Sequence, residues 1–337
     1  MDTSTFQALV VREEANGSFS KALEQLSLTA LPDHDVLVKV SYTALNYKDA
    51  LSASGHKGVT RTYPHTPGID ATGWVAESRH PGFQPGDPVI ITGFDLGMNT
   101  SGGFAEYVRV PSGWLVPLPA GLSLREATVL GTAGFTAGLA LMQMLRSGQK
   151  PENGPVLVTG ATGGVGSMAV AILKKAGFEV IAATGKPEAR AFLEQIGADQ
   201  VIDRNSILPE KDRPLLTGRW AGVIDTVGGP ILSAAIRACL PYGNVAICGL
   251  VSSPEFAANV YPFILRGVNL LGIESAECPM PLRWQVWQKL SRFWKPHDLE
   301  SMSVHAELPE VFDWINRILE GKVTGRVVFS IHPPEHT

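Results

Sequence analysis

The sequence is poor in cysteine. Its 337 residues include 3 Cys against 35 Gly and 24 Pro. Cys239, Cys248 and Cys278 are odd in number and show no CxxC spacing, so neither a disulfide framework nor a cysteine-built metal site is supported. Each is expected to serve as a small buried apolar residue. A run of about 18 or more consecutive apolar residues is also missing, so no transmembrane helix is expected. The opening MDTSTFQALVVREEANG has no basic start, apolar core and small-residue cleavage site, so no signal peptide is expected. A reduced, cytoplasmic setting follows from these two readings. An excess of positive charge is absent too: 28 Lys and Arg against 32 Asp and Glu give a net charge of −4. That balance lacks the basic footprint of a dedicated nucleic-acid binder.

What is present is an ordinary globular composition, 45% hydrophobic and 18% charged, at a length suggesting about two domains. The first third reads as strands punctuated by Gly and Pro. DVLVKVSY (35–42) alternates with period two, and HTPGIDATGWV (65–75), PGDPVIIT (85–92) and GGFAEYVRV (102–110) read as further strand regions. The texture changes at Ser123, where Ser123 and Glu126 form a capping box ahead of a helical pattern. From Pro155 onward, apolar runs (VLVTG, EVIAAT, GVIDTV, NVAICG, VNLLGI) alternate with helix-like segments. That alternation predicts a parallel sheet with helices on both faces. PEVFDWINRILEG and GRVVFS predict a final helix and strand that return to the first domain. WQVWQKLSRFW (284–294) reads as a helix with an aromatic packing face.

The strongest local signal is VLVTGATGGVG (156–166) followed by SMAVAILKKAG. An apolar strand enters a glycine-rich turn that opens a helix, with Gly177 placed to end that helix. The turn is a GxxGxxG variant of the dinucleotide fingerprint. Gly163 lets the backbone approach a pyrophosphate, Gly166 permits close helix–sheet packing, and the helix start favours the anion. Gly160, Thr162, Gly163, Gly164 and Val165 are therefore the expected cofactor contacts. The second strand ends in Thr184, Gly185 and Lys186, where an NAD site usually carries an acid. A missing acid with Lys186 and Arg204 nearby favours a 2′-phosphate, hence NADPH. Solvated surface charge is the alternative for both cations.

These motifs, taken with ALNYKDAL, PGIDATG, GTAGFTAG, VIDTVGG and PFILRGVNLLGIES, resemble the medium-chain dehydrogenase/reductases over essentially the whole chain. The resemblance is to their zinc-free quinone-oxidoreductase branch, and within it to the acrylyl-CoA reductase subgroup. It implies an α/β fold: a GroES-like β-rich catalytic domain (1–124 and 295–337) plus a Rossmann doubly wound parallel-sheet domain (125–294), with NADPH in the cleft between them. Zinc-dependent relatives carry their metal ligands where this chain has Asn46, Ile69 and Ala133, so no zinc is expected. Hydride transfer without a Lewis acid calls for a substrate that is already electrophilic, an α,β-unsaturated thioester or a quinone. The resemblance places Asn46 and Asp70 near the nicotinamide. Asn46 would donate to the carbonyl oxygen or orient the substrate, and Asp70 would hold Asn46 or Lys48 or help relay a proton. Backbone bracing is the alternative for both. Tyr47 is a further donor candidate, whereas the Tyr that related mitochondrial-type reductases use is replaced by His56 and Lys57 after Gly55. Tyr242, Cys248, Gly249, Leu250, Ile273, Ser275 and Arg326 are implied as further cofactor contacts. Lys57, Arg61 and Arg79 are candidates for the phosphates of CoA, with plain solvation as the other reading. The expected activity is reduction of a short 2-enoyl-CoA, acryloyl-CoA to propanoyl-CoA, in a homodimer with no nucleic-acid or membrane partner. The alternatives are an NADPH:quinone or general enone reductase, and a nucleotide-binding protein of structural or RNA-binding role.

Overall fold

The computed structural model describes residues 5–331. The chain divides into two compact units, one of residues 1–132, 276–284 and 299–337 and one of residues 133–275 and 285–298.

The first unit is built on β-strands whose alternating residues fill one core. A hairpin joins β1 (Thr5–Glu13) to β2 (Phe19–Ser27). A seven-stranded sheet holds β3 (Val36–Ala44), β4 (Asp70–Ser78), β5 (Pro88–Thr92), β6 (Tyr107–Val110), β7 (Leu115–Pro117), β14 (Ser303–Glu307) and β15 (Arg326–Ser330), in the order β14-β15-β3-β4-β5-β7 with β6 on β3. The period-two reading of 35–42 holds for one face, with Val36, Val38 and Val40 buried in this core; on the other face Lys39 is exposed but Leu37 is buried as well. The strand regions read at 65–75 and 102–110 are shorter in fact, starting at Asp70 and Tyr107, because glycines at 68, 102 and 103 pack backbone on backbone there. Helix α1 (Tyr47–Ala53) packs with α8 (Val311–Leu319), and the final strand β15 pairs antiparallel with β3.

The second unit is a six-stranded parallel sheet in the order β10-β9-β8-β11-β12-β13. Its strands are β8 (Val156–Val158), β9 (Val180–Thr184), β10 (Gln200–Asp203), β11 (Trp220–Asp225), β12 (Cys239–Ile247) and β13 (Asn269–Gly272). The order reverses between β8 and β11, which puts the switch point of a doubly wound sheet beyond their carboxyl ends. Helices α3 (Gly164–Lys175) and α5 (Gly229–Arg237) begin there. Gly177 takes φ +87° just past α3 and donates to the Lys174 carbonyl, ending the helix as its position predicts.

Helix α2 (Leu124–Arg146) opens with the predicted capping box, Ser123 N–H to Glu126 and Glu126 N–H to the Ser123 hydroxyl. By length and apolar composition it would pass for a membrane span, but 78% of that apolar window is buried in the protein, as in a core helix. Gly131 breaks it with φ 49° and ψ −153°. The division between units therefore falls at Thr132, rather than at residue 124. Residues 276–284 also belong to the first unit, because the buried Arg283 donates to the Thr92 and Ala276 carbonyls.

Candidate active site

Four separated stretches of the first unit converge on one buried carboxylate. Asp70 opens β4 and is 1% exposed. Its Oδ1 accepts from the backbone N–H of Thr132 at 2.8 Å and from the Thr132 hydroxyl at 2.6 Å. Its Oδ2 accepts from Asn46 Nδ2 at 2.9 Å and Arg326 Nη2 at 3.1 Å. A carboxylate this deep needs such pairing, since burying an unpaired charge costs several kcal/mol. Arg326, the first residue of β15, is 2% exposed. It also donates to Asn46 Oδ1 at 2.9 Å, Val129 O at 3.1 Å and Leu45 O at 3.3 Å. Burial lowers its pKa, and Asp70 and Asp49 oppose that shift.

The ion pair fixes which way round the Asn46 amide sits. Oδ1 faces the guanidinium and Nδ2 faces the carboxylate, so the amide cannot turn over without setting like against like. Asn46 caps α1 and is half-buried. The second N–H of Nδ2 has only a long contact, 3.4 Å to the Ala44 carbonyl. Tyr47, next along, is 43% exposed. Gly131 leaves room for the pair: a Cβ there would stand 2.5 Å from Asp70 Oδ2 and 2.8 Å from Arg326 Nη2.

Asn46 and Asp70 are thus brought together as read from the sequence. Two assignments change. Asp70 holds Asn46 and not Lys48, whose Nζ lies 3.9 Å from Met98 Sδ. Arg326, expected as a cofactor contact, instead turns inward: it is 2% exposed, and its Nε, Nη1 and Nη2 each donate to a group of the chain. Its role, and those of Thr132, Gly131 and Asp49, escaped the sequence reading. The only signal was their place inside GRVVF, GTAGF and NYKD. Of the proposed CoA cations, Lys57 pairs with Glu13 at 2.5 Å and Arg79 with Asp33 at 2.6 Å, both on the surface.

In the second unit the glycine turn stands at the switch point. Thr159 donates to Asp225 Oδ1 at 2.7 Å, and Thr226 donates through N–H and hydroxyl to Thr159 at 3.1 and 2.9 Å, stitching the ends of β8 and β11. Burial raises the Asp225 pKa. A Cβ on Gly166 would meet the Gly160 carbonyl at 2.2 Å, so the helix packs against the turn as the motif requires. Gly163 caps α3 and is exposed, and a Cβ there would meet only the Gly160 carbonyl, at 3.4 Å. Its backbone face is open to an anion. Thr162 is buried, whereas Gly164 and Val165 are half-buried. At the end of β9, Lys186 N–H donates to the Thr184 hydroxyl at 3.0 Å, and a Cβ on Gly185 would stand 2.8 Å from Arg204 Nε. Both cations thus follow the paired ends of β9 and β10, and burial lowers the Lys186 pKa. Cys248, Gly249 and Leu250 follow β12 at this same end, with Cys248 Sγ donating to Asp225 O at 3.3 Å. Burial and the Asp225 charge push the Cys248 thiol up to about 12, so it is no thiolate nucleophile. Ile273 and Ser275 follow β13, and Ser275 accepts from the Thr136 hydroxyl at 2.9 Å. Tyr242 is a correction. It sits in the first half of β12, in the register shift between Cys239, which pairs with Trp220, and Asn244, which pairs with Gly222, so parallel pairing places it toward the opposite end of the strand from the turn. It is 81% exposed there.

An open glycine turn at the switch point of a doubly wound sheet defines a dinucleotide-binding domain. Residues 32–120 match the alcohol dehydrogenase GroES-like domain and residues 164–294 match the zinc-binding dehydrogenase family. The chain is 45% identical to the acrylyl-CoA reductase AcuI of Ruegeria pomeroyi over 97% of this chain and 99% of that one. It is 43% identical to YhfP of Bacillus subtilis, provisionally named a quinone oxidoreductase, over 98% and 100% of the two chains. YhfP solved with NAD bound superposes with a TM-score of 0.95 over the same shares. The YhdH oxidoreductase of Salmonella enterica in complex with NADP, 39% identical, superposes at 0.93 over 97% of this chain and 100% of that one. The protein belongs to the medium-chain dehydrogenase/reductase family.

One family description implies zinc, and the residues do not fit it. Asn46 Oδ1 is taken by a guanidinium, while Ile69 and Ala133 offer only hydrocarbon. Among the described residues no group of three or more His, Cys, Asp or Glu could hold a metal ion.

Two substitutions test the ion pair. Arg326→Met strands the Asp70 charge and is expected to destabilise the protein by about 3–5 kcal/mol. Gly131→Ala adds a clash and a strained φ and is expected to cost about 1–3 kcal/mol. Thermal melts check both, and unchanged melting temperatures would refute the assignment.

Proposed function

We propose that the protein reduces the C=C bond of a short 2-enoyl-CoA with NADPH, taking acryloyl-CoA to propanoyl-CoA in a reduced cytoplasmic setting. One observation carries this reading. Where zinc-dependent relatives hold a ligand, this chain has an amide whose orientation is locked by a buried carboxylate and guanidinium. That offers a substrate a hydrogen-bond donor in place of a metal, so the substrate must bring its own electrophilicity. The 45% identity to an acrylyl-CoA reductase supports the thioester.

NADPH, when bound, supplies the hydride that the substrate's β-carbon takes up. Charge then grows on the thioester carbonyl oxygen, and Asn46 Nδ2 donates its second N–H to that oxygen. Asp70 and Arg326 keep the amide from turning its oxygen toward the growing charge. Asp70 is a positioning residue here, because its lone pairs are filled and it is buried. Tyr47, exposed at the start of α1, is the candidate to return a proton to the α-carbon. The Gly160–Val165 turn holds the pyrophosphate on backbone N–H groups, and Lys186 with Arg204 faces the 2′-phosphate. A second reading, quinone reduction, has the provisional name of YhfP behind it, and the same amide suits a quinone oxygen.

NADPH oxidation with acryloyl-CoA, crotonyl-CoA and a benzoquinone at equal concentration separates the two. A preference of about tenfold or more in kcat/KM for the acyl-CoA is expected, and the same preference for the quinone would contradict the thioester. Asn46→Ala should lower kcat about 10²-fold with NADPH binding unchanged. Lys186→Ala should weaken NADPH at least several-fold more than NADH in fluorescence titrations, and equal losses would sink the 2′-phosphate role.

A homodimer completes the proposal. β13 ends the sheet with Leu270 39% exposed, and Ile264 and Leu265, in the short helix Tyr261–Arg266 that precedes it in sequence, are 69% and 63% exposed. Self-pairing of this edge covers them. Light scattering should give twice the 36.1 kDa chain mass, and a monomer would contradict it.

A further inference from the structure

Beneath the Asn46–Asp70 pair lies a second carboxylate that the proposed chemistry does not use. Asp49 is the third residue of α1 and fully buried. Its Oδ2 accepts from the backbone N–H of Asn46 at 2.7 Å, and its Oδ1 accepts from the backbone N–H of Ile69 at 2.8 Å. One side chain thus ties the residue that carries the amide to the residue just before Asp70. Two stretches of chain, at Asn46 and at Ile69, take their spacing from the bite of a single carboxyl group.

We propose that Asp49 is the positioning residue of this site: by spanning the backbone of Asn46 and Ile69 it sets the distance between the Asn46 amide and the Asp70 carboxylate, and it touches no reacting atom itself. The proposal rests on the reading that Asn46 acts on the substrate, but the geometry it describes exists without one.

Charge bookkeeping makes the role measurable. The charged groups acting around Asp49 are Asp70 on β4 and Arg326 on β15, two carboxylates with one cation. Helix α8, which also packs on α1, buries only Val311 and Ile315. Burial and the Asp70 charge push Asp49 up to about 7. Both of its oxygens act as acceptors only in the ionised form, and a proton turns one of them into a donor facing a backbone N–H. Burial and the Asp70 charge outweigh these two bonds, so the folded state takes up this proton more readily than the unfolded chain. The stability that goes with protonation is present in acid and is lost as pH rises from the unfolded carboxylate range through about 7. The spanning geometry strengthens over the same interval, so Asn46 should be best held above it.

The test needs no substrate. In the full-length apoprotein, the Asn46 side-chain amide resonances, assigned by their loss in Asn46→Ala, are followed by NMR from pH 5 to 9. They are expected to move with a midpoint near that of Asp49 and to lose this transition in Asp49→Asn. Resonances that stay flat in the wild type, or that titrate identically in Asp49→Asn, would overturn the proposal even if the variant proved poorly stable. Where an enone or enoyl-CoA is turned over, Asp49→Asn should lower kcat about tenfold or more and abolish the acid limb of its pH profile, with KM for NADPH little changed. An unchanged kcat and acid limb would also overturn it. Loss of turnover in the wild type itself, with the NMR transition intact, would count against the reductase reading and leave the positioning role standing.

Discussion

The first unit is organised around one buried ion pair. Arg326 and Asp70 lie 3.1 Å apart at 2% and 1% exposure, where removing either would leave a buried charge without its counter-charge. Satisfying them draws in β15, β4, the cap of α1 and the break in α2, since the remaining donors and acceptors come from Asn46, Thr132, Val129 and Leu45. A buried pair of this kind is weak evidence for net stability, because apolar residues of the same shape could do as well. What it supplies is orientation. An amide held between an acceptor and a donor has one way to stand, and the helix break at Gly131 exists where a Cβ would collide with both charges.

Much of the architecture was legible because it follows from periodicity and turn chemistry. Alternation at 35–42, the Ser123 capping box and the strand–glycine–helix signal at 156–166 are local rules, and the folded chain obeys them. The shortening of the strands at 68 and 102–103 was not legible, since those glycines matter for the backbone that passes against them from elsewhere in the chain. Asn46 and Asp70 were found through motif position. The inward turn of Arg326 is not legible, because a lone arginine in GRVVF gives no hint that it folds onto residues 256 and 280 positions away. Tyr242 failed for a related reason: being close to the CGL motif in sequence says nothing about which end of a parallel strand a residue occupies.

The second unit shows the same economy of means with glycine in place of charge. Gly166 lets a helix rest on a carbonyl, and Gly163 leaves a backbone face uncovered. Thr159, Thr226 and Asp225 then fix the turn from behind. The scarcity of cysteine fits this picture. The three thiols are free, two of them buried, and the positions that hold metal ligands in zinc-dependent relatives carry an amide and two hydrocarbons.

In the proposed reaction Asn46 works only as Asp70 holds it. The direct measurement is a double-mutant cycle on kcat, comparing Asn46→Ala, Asp70→Asn and the double variant. If Asp70 acts through Asn46, the double variant should be little slower than Asn46→Ala alone, a coupling of about 1–3 kcal/mol. Losses that simply multiply would mean the two residues act independently, and the account would be wrong.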